Sequence, residues 1–249
     1  MTTVPASWLN LRRYTPARVG LGRVGNGLPT AAHLAFQAAH AAARDAVLAR
    51  LDVPALQGDL TAIGLDSHVV ASACPDRRSY LLRPDLGRTL APGQDLPRCP
   101  GLVFVICDGL SAVAVQRHAA PLLAETVAVL GPAPVVIAEQ GRVALGDAVG
   151  AAMGADAVVV LIGERPGLST PDSLGAYLTW QPRPGRTDAE RNCISNIRPE
   201  GLAIKLAART LVWLITEMRR LRLSGVALKD ERALIGPGGQ DRSISVVST

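Results

Sequence analysis

Residues 102–107 read LVFVIC, an unbroken apolar run. An apolar run of this length is typical of a strand that is buried on both faces of a sheet. Two further runs follow along the chain, Pro134–Ala138 (PVVIA) and Ala157–Ile162 (AVVVLI). Helical patterns over Ser111–Leu130 and Ala144–Met153 separate the three runs. This alternation predicts an α/β fold with an open, mostly parallel, doubly wound (Rossmann-like) sheet.

Weaker signals flank this central region. A helix is predicted from an N-cap at Thr30 to Leu51, and residues 52–101 indicate short mixed elements broken by proline and glycine. The segment Ala176–Trp180 (AYLTW) is a candidate fourth strand, and Leu202–Arg222 has the apolar stripe of a last helix.

Three regions follow from these signals. We expect an N-terminal arm and helical segment over residues 1–70 and an α/β domain over 71–235. The glycine-rich segment 236–249 is predicted to be a mobile tail.

Composition narrows the function classes. Hydrophobic residues make up 48% of the 249 residues and aromatic residues only 3%, which argues against a protein that stacks nucleic-acid bases on aromatic rings. Only two of the 26 basic residues are lysines, and the arginines are dispersed. The densest group, Arg219, Arg220 and Arg222, lies where a helix end would attract positive charge, so nucleic-acid binding is not indicated.

The cysteines and the hydropathy pattern indicate the compartment. Cys74, Cys99, Cys107 and Cys193 form no CxxC pair, so neither a disulfide framework nor a zinc site is expected. No long apolar span and no signal peptide are evident, which predicts a soluble protein in a reducing, cytoplasmic compartment without a membrane partner.

Polar segments follow each predicted strand. They are residues 108–111 (DGLS), 139–143 (EQGRV), 163–167 (GERPG) and a long loop at 191–198 (RNCISNIR). Ligands of open α/β sheets bind beyond the carboxyl ends of the strands. We therefore expect the four loops to open on one edge and to form a single site.

Two motifs fail in their context. Residues 20–25 (GLGRVG) match GxGxxG, but the preceding Leu11–Val19 holds three arginines and a proline and makes a poor buried strand, so a turn is predicted. Asp66 and His68 begin a DxHxxG cobalamin motif, but Ala71 occupies the glycine position. His33, His40 and His118 have no second ligand at metal spacing, and no metal site is expected.

Seven segments resemble one family. They are TPARVGLGRVGNGLPT (15–30), YLLRPDLGR (80–88), DGLSA (108–112), QGRVALGD (140–147), LIGERPGL (161–168), PDSLGAYLTW (171–180) and DAERNCISNIRPEGL (188–202). Together they resemble the small, or light, subunit of ethanolamine ammonia-lyase, over about residues 9–230.

The resemblance implies a function shared with a partner. It implies that adenosylcobalamin is bound between this chain and a large, or heavy, subunit in a hetero-oligomer. It also implies that the complex converts ethanolamine to acetaldehyde and ammonia by a radical mechanism, and that ethanolamine is bound mainly by the large subunit. The resemblance implies cobalamin contacts at Val143, Glu164 and Cys193 and no catalytic residue in this chain. Arg142 and two further arginines, Arg165 and Arg198, are candidates for contact with the cofactor or the large subunit.

The same resemblance bears on location and leaves alternatives open. It implies the bacterial cytoplasm. Packaging in a bacterial microcompartment is in doubt, because only 14 residues precede Thr15, whereas packaged relatives carry a longer extension. Two other hypotheses are a stand-alone hydrolase with Cys193 as nucleophile, and a non-enzymatic interaction module.

Overall fold

A six-stranded sheet organises the chain. The computed structural model describes residues 4, 6–15 and 17–230, so the predicted tail lies outside the described residues. The strands lie in the order β1-β3-β2-β4-β5-β6. Their bounds are β1 Ser67–Ala71, β2 Leu102–Cys107, β3 Val135–Glu139, β4 Ala157–Gly163, β5 Leu174–Trp180 and β6 Arg191–Ile197.

The sheet is parallel at its centre and antiparallel at one edge. β1, β3, β2 and β4 are mutually parallel, whereas β5 is antiparallel to both β4 and β6. Every residue of β2 and β4 is buried, which explains why their sequences are continuously apolar. The predicted α/β class with a mostly parallel sheet is confirmed.

Helices pack on both faces of the sheet. The described helices are α1 Ala6–Leu11, α2 Thr30–Leu48, α3 Val53–Ala62, α4 Arg77–Leu82, α5 Ala112–Leu130, α6 Leu145–Met153 and α7 Ile204–Leu221. Buried side chains of α3, α5 and α7 pack on one face, here termed the α5 face. Those of α6 pack on the other, the α6 face. None of the helices in the described ranges is long and apolar enough to cross a membrane.

The structure corrects two predicted details of α2. Thr30 is the first helical residue and not the N-cap, because the extended Pro29 precedes it and no side chain caps the helix. The helix ends at Leu48, short of the predicted Leu51, since Asp52 already caps α3 by accepting from the N–H of Ala55 at 3.1 Å. The predicted domain boundary at residue 70 stays a prediction.

The predicted loop at residues 191–198 is wrong, because most of it is the edge strand β6. The α5 face of β6 packs on the core through Ile194 and Ile197, and Cys193 is exposed on the other side. A strand with one solvent face carries polar residues, so its sequence resembled a loop. The predicted fourth strand begins two residues earlier, at Leu174, and runs antiparallel.

Candidate functional site

Three of the four segments predicted to form a site meet at one edge of the sheet. The N–H of Leu110, after β2, donates to the carbonyl of Gly163, at the end of β4, at 2.9 Å. The N–H of Gly141, after β3, donates to Oδ1 of Asp108 at 3.1 Å. Gly109 has φ +59°, and a Cβ there would lie only 2.2 Å from the carbonyl oxygen of Gly163. This close approach, which only glycine allows, joins the loops into one surface.

The fourth segment reaches the same edge by another route. β5 ends at Trp180 beside Ala157, which is at the opposite edge of the sheet. The prediction that a loop after this strand opens on the shared edge is therefore wrong. β6 then returns, and Ile197 pairs with Leu174 next to Gly163. An antiparallel hairpin thus brings the end of β6 to the carboxyl edge of the parallel strands.

The hairpin exposes a floor on the α6 face. Gly175 and Tyr177 of β5 pair with residues of β4 that pack against α6, and Cys193 of β6 pairs with Tyr177. Residues paired across a sheet point to the same face. α7 covers the opposite face of both strands, whereas Tyr177 is half-buried and Cys193 is exposed. We term Gly175, Tyr177 and Cys193 the open floor, in which Gly175 is buried next to the side chains of Glu164 and Tyr177.

Glu164 lies at the margin of the open floor with a fixed carboxylate. Its Oε2 accepts from the Ser173 hydroxyl at 2.5 Å and from the N–H of Asn196 at 3.1 Å. A Cβ built on Gly175 would lie 3.0 Å from Oε1, so this oxygen lies above the glycine. No group of the described residues donates to Oε1. Glu164 therefore offers one free acceptor, held in position by β5 and β6.

Cys193 lies on the floor as a protonated thiol. Although the residue is exposed, desolvation by neighbouring groups raises the pKa of the Cys193 thiol, Tyr177 lowers it by a side-chain hydrogen bond, and the charge of Glu164 raises it further. Burial raises the pKa of the Tyr177 hydroxyl as well. Both groups are neutral near pH 7, where a thiol with a raised pKa is a weak nucleophile.

Val143 lies on the same α6 face of the sheet as the open floor. It is half-buried and packs against the same cluster as Tyr177, just before α6 begins. Glu164, through its contact with Gly175, and Cys193, through its pairing with Tyr177, lie on the same face of the sheet as Val143. That they contact a cofactor stays a prediction.

A cavity of about 420 Å³ adjoins Val143. Its wall combines the segment after α4, the start of α6 and the β5–β6 connection. Four guanidinium groups and one carboxylate line it, from Arg88, Arg142, Arg186, Arg191 and Asp188. We term this cavity the arginine pocket.

The arginines of the predicted loop segments have different roles. Arg191 is buried and structural, with Nη1 and Nη2 each 2.7 Å from one oxygen of Asp147. Arg198 braces the end of β6, since its Nε donates to Oδ1 of Asn196 at 3.0 Å. Arg165 is exposed. Of Arg142, Arg165 and Arg198, the three candidates for contact with the cofactor or the large subunit, only Arg142 lines the arginine pocket.

Asp108 is a buried residue that links the loop after β2 to the loop after β3. Its Oδ1 accepts from the N–H groups of Gly109 and Gly141, and Oδ2 lies 3.2 Å from Nη1 of Arg77. Burial raises the pKa of Asp108 to about 6, although Arg77 and the two N–H groups lower it. Asp108 therefore fixes the loop that leads to Val143.

Sequence analysis missed Gly175, Tyr177 and Ser173. The signal that could have found the first two is their spacing of two, because alternate residues of a strand share a face. The predicted strand began at Ala176 and so left out Gly175, whereas β5 begins at Leu174. Ser173 had no signal, since its role depends on the folding of the 164–173 loop against β4.

The histidines lie away from the open floor. His33 and His40 are in α2, His68 is exposed on β1 at the other edge of the sheet, and His118 is in α5 on the opposite face. Within the described ranges, no three His, Cys, Asp or Glu side chains are grouped as metal ligands. Residues 20–25 contain no helix and no regular strand: three glycines have positive φ, and Val24 bridges Gly27 across a turn that begins at Gly25.

Comparison with known proteins gives one consistent result. Residues 5–229 match a family model described as ethanolamine ammonia-lyase light chain. A small subunit of ethanolamine ammonia-lyase from Azotobacter vinelandii is 54% identical, over 90% of this chain and 88% of its own length. One from Ralstonia nicotianae is 54% identical over 92% and 90%. One from Xanthomonas campestris is 52% identical over 94% and 93%.

Proposed function

The chain belongs to the ethanolamine ammonia-lyase light chain family, and from this we propose that it is the small subunit of an adenosylcobalamin-dependent ethanolamine ammonia-lyase. In this proposal the open floor covers one side of the cofactor and a large subunit covers the other. The complex converts ethanolamine to acetaldehyde and ammonia.

The free carboxylate oxygen of Glu164 is the observation that carries the proposal. A corrin is a broad, nearly flat ring whose rim bears neutral amide arms, and amide N–H groups need acceptors when water is excluded. Oε1 of Glu164 is such an acceptor at the margin of the floor, and Ser173 and Asn196 hold the carboxylate from behind.

The floor fits a flat ligand in shape. Gly175 has no side chain, and a Cβ there would crowd both Oε1 of Glu164 at 3.0 Å and Cε2 of Tyr177 at 3.1 Å. Cys193 is small enough for close approach, and Val143 adds an apolar wall. The free acceptor of Glu164, held close to β5 because Gly175 has no side chain, therefore fits a cobalamin bound through its amide rim.

The groups on the open floor indicate which tasks this chain, the cofactor and the large subunit perform. Tyr177 and Cys193 are neutral, and Glu164 is engaged by two donors. Bound adenosylcobalamin would supply the radical chemistry. This chain's residues orient the ring and exclude water from one side, and the large subunit binds ethanolamine.

The same geometry gives less support to a Cys193 hydrolase. A nucleophilic cysteine needs a base within hydrogen-bond reach or a lowered pKa. Burial raises the pKa of Cys193 instead, and the four histidines lie on other elements.

A cobalamin titration tests the proposal. The chain is co-expressed with its large subunit, and binding of hydroxocobalamin is followed by its absorption spectrum. We expect Glu164→Ala with Cys193→Ala to weaken binding at least about tenfold, the loss of one good hydrogen bond and its contacts. Cys99→Ala, a half-buried cysteine remote from the floor, is the control. Unchanged binding by the double variant would favour a non-enzymatic module.

A further inference from the structure

The arginine pocket carries positive charge that its own residues do not balance. Arg191 is neutralised by Asp147, and Arg186 forms an ion pair with Glu190. Asp188 is fully exposed and lies 3.6 Å from Arg191, which is already paired.

Arg88 and Arg142 are the two cations left over. Neither forms an ion pair with any carboxylate of the described residues. Because arginine stays charged at all physiological pH values, two guanidinium groups in one cavity lack a paired carboxylate, and the pocket keeps a net positive charge even when the exposed Asp188 is counted.

Arg142 is held in place without a counter-ion. Its Nη2 donates to the carbonyl of Tyr80 at 3.0 Å, and Cζ lies 4.1 Å from the centre of the Tyr80 ring. Its stem fills the space over Gly87, where a Cβ would lie 2.8 Å from Cγ of Arg142. Its Nε is buried and has no acceptor. A guanidinium that is held in position without a carboxylate partner can bind an anionic ligand with little further ordering.

The start of α6 adds to this positive field. Val143 and Ala144 line the arginine pocket immediately before the helix. Their N–H groups donate to no acceptor of the described residues. N–H groups at a helix start favour negative charge, in the same direction as the two arginines.

We propose that the arginine pocket binds the phosphodiester of the cofactor's nucleotide arm, which rests on the function proposed above. The corrin amides are neutral, whereas the phosphodiester carries one negative charge. Val143 lines the pocket and packs on the same face of the sheet as Tyr177 of the open floor, and in this proposal a ligand on the floor extends past Val143 into the pocket. Arg88 and Arg142 contact the phosphate oxygens, and the N–H groups before α6 complete the site.

Two corrinoids separate this site from the floor. Cobinamide has the corrin and its amides but lacks the nucleotide arm and its phosphodiester. Dissociation constants for hydroxocobalamin and for dicyanocobinamide are measured on the complex with the large subunit, by equilibrium dialysis at low and high salt. The chains are wild type, Arg88→Gln, Arg142→Gln and Arg219→Gln. Arg219 is exposed on α7, which packs on the opposite face, and its variant makes the same charge change.

The expected result is selective. Each pocket variant weakens cobalamin binding about tenfold, the effect of one charge-assisted hydrogen bond. Binding of cobinamide changes less than about twofold, and Arg219→Gln changes neither. Salt weakens cobalamin binding to wild type more than to Arg88→Gln. Because Arg142 also packs on Tyr80, the exposed Arg88 keeps the test valid if Arg142→Gln fails to fold.

Three other results would overturn the inference. Equal loss of both corrinoids, with loss of the large subunit, would make the pocket part of the subunit interface. No effect of Arg88→Gln and Arg142→Gln on cobalamin would leave the pocket without this ligand. If the wild-type complex bound neither corrinoid, the proposed function would fail together with the inference.

Discussion

Arg191 and Asp147 form a bidentate ion pair, with both nitrogen–oxygen distances at 2.7 Å and both side chains only 2% exposed. Arg191 begins β6 and Asp147 lies in the first turn of α6. The pair therefore links the strand that carries Cys193 to the helix that follows Val143. It lies behind the arginine pocket and keeps Arg191 from serving as a free anion site.

Breaking this pair should destabilise the fold strongly. We expect Asp147→Asn to lower the free energy of unfolding by about 3 kcal/mol, because the buried Arg191 is left with only the exposed Asp188, 3.6 Å away, as a counter-ion. The exposed pair of Glu217 and Arg220 is the control, and Glu217→Gln should cost less than about 1 kcal/mol. Urea unfolding measures both. Equal effects of the two substitutions would mean that the buried pair is not a structural link.

The positions of Glu164 and Tyr177 over the open floor can be tested at Gly175. In Gly175→Ala, the new methyl group meets Glu164 and Tyr177 at 3.0–3.1 Å. We expect a loss of about 1 kcal/mol in stability from overpacking, and cobalamin binding weakened about tenfold. In Gly58→Ala, within α3, the methyl group enters open space. That variant should gain about 0.5–1 kcal/mol in stability and leave binding unchanged. If Gly175→Ala bound cobalamin as wild type does, the floor would not be a contact surface.

Asp108 should make stability depend on pH. Its pKa in the fold is about 6, above the ordinary value of 3.8, so folding favours the protonated form. The contribution of this group to the free energy of unfolding is complete below about pH 4, is lost as the pH rises to about 6, and is constant above that. Its size is at most about 3 kcal/mol, at about 1.4 kcal/mol for each pKa unit.

Comparison with Asp108→Asn isolates this titration. The difference in unfolding free energy between wild type and Asp108→Asn, measured at several pH values, should fall between about pH 4 and 6 and then level off. A difference that instead rises over this range would show that Arg77 and the two backbone N–H groups dominate over burial.

The reactivity of Cys193 separates a contact residue from a nucleophile. Burial raises its pKa, so alkylation of the wild-type chain should be slow near neutral pH and should still increase above pH 9. Mass spectrometry identifies the modified cysteine, with the buried Cys107 as the unreactive control. A rate that levels off near pH 7 would indicate an activated thiolate and would revive the hydrolase hypothesis.

The parallel half of the fold could be predicted from sequence, and the antiparallel edge could not. β2 and β4 are buried on both faces, so their sequences contain only apolar residues apart from a terminal glycine. β6 packs Ile194 and Ile197 on the core and turns Cys193 to the surface, which gives no run that a sequence pattern detects. The predicted fold class is therefore correct, whereas the predicted direction of β5 is wrong, because β5 runs antiparallel to β4.

The candidate site was predictable in part for the same reason. Glu164 directly follows a recognisable strand, so its place at the sheet edge followed from topology. The partners that fix it, Ser173 and Asn196, lie 9 and 32 residues away and meet it only after the hairpin folds. The excess positive charge of the arginine pocket could not be predicted from sequence either, because it depends on which arginines form ion pairs with carboxylates in the folded chain.

Reconstitution of activity tests the central claim most directly. Acetaldehyde formation from ethanolamine is measured for this chain alone, for its large subunit alone, and for both together, each with and without adenosylcobalamin. The subunit pair from Azotobacter vinelandii serves as the positive control. We expect acetaldehyde only from the two chains together with the cofactor. Activity of this chain alone, or no activity of the complete mixture while the control pair is active, would contradict the account.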